Sequence, residues 1–212
     1  MEPEFSTECR RCPRLANFLD QVKSDNPAYY ARPVPPFGAD NPAVLVVGLA
    51  PGMHGANRTG RPFTGDYAGL LLYETLHRFG FSSQPSSVSA ADSLRLMDCR
   101  ITNAVKCLPP KNKPDTEEIK QCNKYLRIEL NALTEDAIIL ALGNVAHRAV
   151  LLALGLKNSA FPFVHGAVHI LPRGLTLYDS YHCSRYNTQT RRLTTPMFEQ
   201  VFAAIASQLR RR

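Results

Sequence analysis

No apolar run in this sequence approaches the roughly 20 residues that a bilayer span needs, and the first residues, Met-Glu-Pro-Glu-Phe, lack a basic-then-apolar leader. A soluble, intracellular protein is expected. There are no internal repeats. The glycine-rich region lacks both G-x-x-x-x-G-K-[ST] and a compact G-x-G-x-x-G, which counts against an enzyme that handles free nucleotides through a phosphate-cradling loop. Acidic residues are in deficit, 18 Asp and Glu against 25 Lys and Arg, a formal charge of +7 and a pI near 9.2. That balance suits a polyanionic partner such as nucleic acid, and equally a merely basic surface. Charged residues are only 20% and apolar residues 44%, so the chain is globular rather than disordered. Its 212 residues are most simply one domain, 1–212.

The stretch that organises the rest is residues 44–69. A β-branched apolar run ends at Gly48 and opens into a long loop with Gly52, Gly55, Gly60 and Gly65, the cations Arg58 and Arg61, one aromatic, Phe63, and one carboxylate, Asp66. Strands that empty into such loops at their carboxyl ends are where open α/β sheets place ligands. Strand patterns cover 43–49, 99–106, 136–142, 167–171 and 175–181; helical patterns cover 8–23, 67–79, 115–130, 144–154 and 197–210. Asp115 with Glu118 resembles a capping box. Asn144 is a candidate cap for the helix it begins, and Pro196 opens the last helix. Residues 24–42, with five prolines, read as an extended wrapping segment, and the Ser-rich 82–93 as a surface loop. Alternating strands and helices predict a three-layer α/β/α fold around a central four-stranded, mainly parallel sheet.

The six cysteines form no obvious disulfide framework in a chain without a secretion signal. Cys9 and Cys12 make a C-x-x-C, and Cys107 and Cys122 lie downstream. Four thiolates at these places would bind zinc or an iron–sulfur cluster. Cys99 reads as a small buried hydrophobe and Cys183 as a local loop residue. The predicted topology brings residues 48–66, 103–107 and 182–187 to one sheet edge. There Phe63 offers a flat stacking face, Asn103 offers both a donor and an acceptor for one edge of a base, and His182 offers a donor to an oxygen gaining charge. Arg58, Arg61, Lys106, Arg185 and Arg191 are candidates for phosphates. Plainer roles stay open: Phe63 in a core, Asn103 and Asp66 as caps, His182 as a satisfied buried histidine. His54, His77, His147, His165 and His169 read as structural or surface residues.

Two segments match a known family. Gly-Leu-Ala-Pro-Gly…Asn-Arg-Thr-Gly-Arg-Pro-Phe-Thr-Gly-Asp resembles the first motif of the family 5 (type B) uracil-DNA glycosylases, and His-Cys-Ser-Arg-Tyr-Asn-Thr-Gln-Thr-Arg-Arg-Leu-Thr resembles the second. The resemblance covers nearly the whole chain. It implies the glycosylase α/β/α fold, a monomer, and hydrolytic excision of uracil, and of bases such as hypoxanthine, from double- and single-stranded DNA in a prokaryotic cytoplasm or nucleoid. By position it implies that Phe63 stacks on the flipped base, Asn103 reads its pairing edge, and His182 stabilises charge on the leaving base. Leu49, Ala50 and Pro51 would line the pocket. Ser184 and Arg185, in the segment that runs to Asn187, would meet the duplex. Cys9, Cys12, Cys107 and Cys122 would hold a structural [4Fe–4S] cluster, with zinc the alternative. Many relatives carry a polar residue where this chain has Leu49, which leaves Asp66 to orient water or stabilise the sugar cation. The competing class is a metal-stapled nucleic-acid-binding module without catalysis.

Overall fold

The computed structural model of the chain describes residues 5–211; the leader expectation at residues 1–4, and Arg212 of the basic tail, lie outside them. The sheet forms where buried β-branched runs occur. The element order is α1 (Pro13–Asp25), β1 (Phe37–Gly38), β2 (Val44–Gly48), α2 (Ala56–Thr59), α3 (Tyr67–Arg78), β3 (Cys99–Asn103), α4 (Thr116–Asn131), β4 (Ile138–Leu142), α5 (Asn144–Ala153), β5 (Val168–Ile170), β6 (Thr176–Ser180), α6 (Arg185–Gln189) and α7 (Thr195–Arg210). The strands make one sheet in the order β1-β3-β2-β4-β6-β5. The inner four are parallel, and the two edge strands are antiparallel to their neighbours.

The expected four-stranded sheet is therefore the core of a six-stranded one. β5 falls in the segment 167–171 already read as a strand. β1 has only two residues inside the proline-rich wrap, too short for any periodicity to mark it. β3 stops at Asn103 rather than continuing to 106, because the chain bends there to carry Lys106 inward and Cys107 toward the other thiols. Even so, Ala104 and Val105 still donate to the carbonyls of Gly48 and Leu49.

Alternate residues of each central strand feed two cores. Val44, Val46, Ile138 and Leu140 join α3 and α7 on one face, while Leu45, Val47, Ile139 and Ala141 join α4 and α5 on the other. This is a three-layer α/β/α architecture, and it explains why the strands read as continuous apolar runs. The helix starts follow the expected chemistry. Asp115 and Glu118 form a full capping box, Thr194 caps α7 at Met197 with Pro196 in the first turn, and Cys12 precedes α1 with Pro13 at its start. Asn144 differs from expectation. It is the first residue of α5, and the cap position belongs to Gly143 at φ 94°, a conformation that favours glycine. Cys183 lies in the loop between β6 and α6, as read, and its side chain is fully buried in the first core. Among the described residues, no helix is long and apolar enough to cross a membrane.

The first turn of α3 packs tightly on the loop it follows. A Cβ at Gly69 would lie 1.8 Å from the carbonyl oxygen of Phe63, a backbone atom with no room to yield. Gly69→Ala is expected to destabilise the protein by about 2 kcal/mol in urea unfolding, within the usual range for overpacking.

Candidate active site

Parallel pairing of β2 with β3 sets Gly48 opposite Asn103. Both strands end there, and the loop that follows β2 turns back over the edge to form a cavity of about 400 Å³. Gly48 makes the approach possible: a Cβ on it would lie 2.4 Å from Asn103 Oδ1 and 2.7 Å from Phe63 Cζ. Asn103 is buried, and its Oδ1 has no hydrogen-bond partner. Phe63 is buried and held at φ 54°, in the left-handed region that residues with a Cβ avoid. Its ring stacks toward His182, with centroids 5.8 Å apart and planes 26° from parallel.

His182 reaches the cavity from the segment after β6, and its backbone carbonyl accepts from Asn187 Nδ2 at 2.8 Å. Its Nδ1 is buried without a partner. Burial pulls the imidazolium pKa down to about 4, so near neutral pH the ring is uncharged, with one nitrogen a donor and the other an acceptor. A carboxamide and a neutral imidazole, each with one buried atom lacking a partner, therefore line the same cavity as an aromatic ring. Unsatisfied buried polar atoms are costly, which singles out these two cavity-lining residues among the buried polar side chains.

Asp66 caps α3 and also faces the cavity. Its Oδ1 accepts from the N–H of Gly69 at 2.9 Å and caps α3, and the residue also lines the cavity. Oδ2 is turned toward Gly55, where a Cβ would lie 2.3 Å from it. Burial raises the Asp66 carboxyl above its ordinary range, and the N–H groups of Gly69 and Ala68 work against that rise.

Leu49 and Ala50 line the cavity, and so does Ser184, for which a contact with the duplex is the expectation; Pro51 is buried and does not line it. Ser184 also caps α6, accepting from the N–H of Asn187. Asn112 and Asn144 line the cavity too and were missed. Asn112 sits at φ 55° in the Pro/Lys loop, a conformation asparagine tolerates unusually well. Asn144 was read only as a cap.

The cations divide. Arg58, Arg185 and Arg191 are exposed, and Arg185 lies over the Tyr67 ring at 5.9 Å. Arg61 and Lys106 are corrections, because both are buried and paired. Arg61 donates to Asp92 at 2.5 Å and to Ser87 at 3.0 Å. Lys106 Nζ donates to Glu129 at 2.6 Å and to Thr102. Desolvating either cation requires such an internal partner, so neither is available to a phosphate or to a sugar. Asn187, expected to meet DNA, donates its Nδ2 to the His182 carbonyl.

Cys9, Cys12, Cys107 and Cys122 line one small cavity between α1, α4 and the bend after β3. Cys122 Sγ accepts from the N–H of Lys106 at 3.2 Å, and Cys9 Sγ lies 3.3 Å from the Tyr125 hydroxyl. Burial pushes the Cys122 thiol up to about 11 and raises Cys12 and Cys107 as well. A bound cation would reverse that cost. Among the described residues, the metal-type ligand atoms that gather within 4.8 Å of one another in threes are those of His147, His169 and Asp179; the thiols are spread more widely. That trio is hydrogen-bonded internally, with His147 Nδ1 2.7 Å from Asp179 and His147 Nε2 2.8 Å from the Phe161 carbonyl.

Residues 35–206 match the family model described as the uracil DNA glycosylase superfamily. The chain is 50% identical over 200 residues to the type-5 uracil-DNA glycosylase of Thermus thermophilus, covering 92% of this chain and 91% of that one. It is 45% identical to the type-5 uracil-DNA glycosylase of Pyrobaculum aerophilum, covering 94% and 88%. With the type-5 uracil-DNA glycosylase of Mycobacterium leprae it shares 42% identity, covering 94% and 92%.

The low imidazolium pKa of His182 sets a pH signature. As pH falls, the unfolded chain takes up a proton near 6.5 while the folded protein does not until about 4. The stability that neutral His182 contributes is whole above the unfolded value and is lost as pH drops through the folded one. The full span is about 3 kcal/mol. His182→Asn is expected to lose less stability than wild type between pH 6.5 and 4, measured by urea midpoints; subtracting the two curves removes the contributions of the carboxylates.

Proposed function

The chain belongs to the uracil DNA glycosylase superfamily, and from that premise we propose that it excises uracil from DNA by hydrolysis, the first step of base excision repair. The observation that carries this reading is the pair of partnerless buried atoms, Asn103 Oδ1 and His182 Nδ1, in one cavity with the Phe63 ring.

A base inside a duplex is out of reach and has to be extruded, at a cost of a few kcal/mol. Once in the cavity, uracil stacks on Phe63. Asn103 accepts from its ring N–H and donates to the neighbouring carbonyl, a pattern that thymine shares but cytosine does not. As the bond between the sugar C1′ and the base nitrogen breaks, negative charge grows on the base and positive charge on the sugar. Neutral His182 donates to the base oxygen that gains charge, lowering the barrier by about 3 kcal/mol if it acts like other well-placed donors. Asp66 Oδ2 orients the water that attacks C1′ and faces the developing sugar cation. Water adds at C1′, the base leaves with a proton, and an abasic site remains. The cavity has room for a bicyclic base, so hypoxanthine belongs in the proposed range. Arg58, Arg185 and Arg191, exposed, hold phosphates, and the protein acts on DNA as a monomer.

Cys9, Cys12, Cys107 and Cys122 fit a [4Fe–4S] cluster better than zinc. Zinc–sulfur bonds of about 2.3 Å draw four thiolates to within about 4 Å of one another, and no three of these thiols gather within 4.8 Å. Held by these four thiolates, a cluster would cross-link α1 and α4 to the Pro/Lys loop that carries Asn112 to the cavity. Hydrolysis moves no net electrons and asks no redox work of it.

Purified protein is expected to release uracil from a U·G duplex and leave a site that breaks only after alkali, read on a denaturing gel. Asn103→Ala and His182→Ala should each lose roughly 100-fold or more in single-turnover rate with an unchanged circular dichroism spectrum. Asp66→Ala at full rate would assign the water to another group. Elemental analysis should find iron and acid-labile sulfide; zinc alone, with no base release, would favour a binding module.

A further inference from the structure

Arg61 sits inside the first motif yet is only 6% exposed and offers no charge to solvent. Its guanidinium ties the motif to a segment that also fastens Thr64 and Gly65, just past Phe63. The tie runs to residues 82–96, a segment closed at its base by Ser83 N–H to the Arg95 carbonyl at 2.9 Å and Met97 N–H to the Phe81 carbonyl at 3.0 Å. At its tip, Asp92 gathers the N–H groups of Val88, Ser89 and Leu94 and accepts from Arg61 Nη1. Arg61 Nη2 donates to the Ala90 carbonyl at 2.8 Å, and Nη1 to Ser87 Oγ at 3.0 Å. Ser87 Oγ is 2.7 Å from Thr64 Oγ1, and its carbonyl accepts from the N–H of Gly65. Residues 61, 64 and 65 are thus all fastened to one strap, while Phe63 between them stands at φ 54°.

A non-glycine residue persists at such a φ only when its surroundings over-determine it. Tyr73 supplies the opposing brace, its hydroxyl donating to the Pro62 carbonyl at 2.9 Å. The guanidinium also lies 4.3 Å from the centre of the Phe37 ring on the edge strand, so the fastening is packed as well as hydrogen-bonded. Burial alone would raise the Asp92 carboxyl, but Arg61 and the three N–H groups hold it below the usual carboxylate range.

We infer that Arg61, Asp92 and Ser87 form a positioning device that sets the Phe63 ring at the angle an extruded base stacks on. The residues touch no substrate and act through Phe63. This inference rests on the reading of the cavity proposed above.

The test is a double-mutant cycle in single-turnover uracil excision from a U·G duplex, with wild type, Ser87→Ala, Asp92→Asn, Phe63→Ala and the two doubles. Ser87→Ala and Asp92→Asn should each slow cleavage at saturating enzyme about 10-fold while moving the half-saturating concentration less than about 2-fold. Added to Phe63→Ala, either should cost less than about 2-fold, because its route is already gone. Losses that multiply in the doubles, or that fall on the half-saturating concentration, overturn the inference. Where Asp92→Asn fails to fold by circular dichroism, Ser87→Ala, which strands no buried charge, carries the cycle. A wild type that releases no uracil overturns the reading of the cavity and the strap with it; an active wild type with multiplying losses overturns the strap alone.

Discussion

The parallel pairing of β2 with β3 is the constraint on which the rest depends. One register places Gly48 against Asn103, and a strand slipped by one residue would turn Asn103 into the opposite core, because side chains alternate faces. The register is secured from within. Leu45 and Val47 are buried on one side and Val44 and Val46 on the other, so a slip exposes nothing and satisfies nothing; it only mismatches two packed faces. Everything at the cavity follows from where these two strands end.

The cavity is not a polar site in the ordinary sense. Its walls are mostly apolar, and the few polar atoms are either held in place by the backbone or left without a partner. Asp66 is half used by a helix N-terminus, His182 is fixed through its own carbonyl by Asn187, and Asn103 grows from the end of a buried strand. Little side-chain freedom remains to be lost when a ligand arrives. That is how rigid elements convert modest hydrogen bonds into selectivity.

The sequence disclosed the sheet well, because strands buried on both faces announce themselves as unbroken apolar runs. It also disclosed the convergence of Phe63, Asn103 and His182, because strand–helix alternation leaves one edge for ligands. It did not disclose the fate of the cations. Arg61 and Lys106 carry the same formal charge as Arg58, and nothing local separates them: their partners, Asp92 and Glu129, are 31 and 23 residues away. The Ser-rich segment is largely the surface loop it reads as, and the burial of Ser87 against Thr64 escapes notice for the same reason, since the two are 23 residues apart. Edge strand β1 escaped notice because two residues are too few to carry a pattern. Gly143 was passed over in favour of Asn144 because a left-handed cap is a property of the backbone rather than of a side-chain oxygen.

The uncharged state of His182 reaches beyond the bond-breaking step. A histidine that had to gain a proton before working would draw it from the buffer each time a lesion was engaged. Heats of association would then vary with the ionisation enthalpy of the buffer chosen. In the role proposed for it, the ring is already uncharged near neutral pH before a base arrives, so that role asks for no prior uptake of a proton.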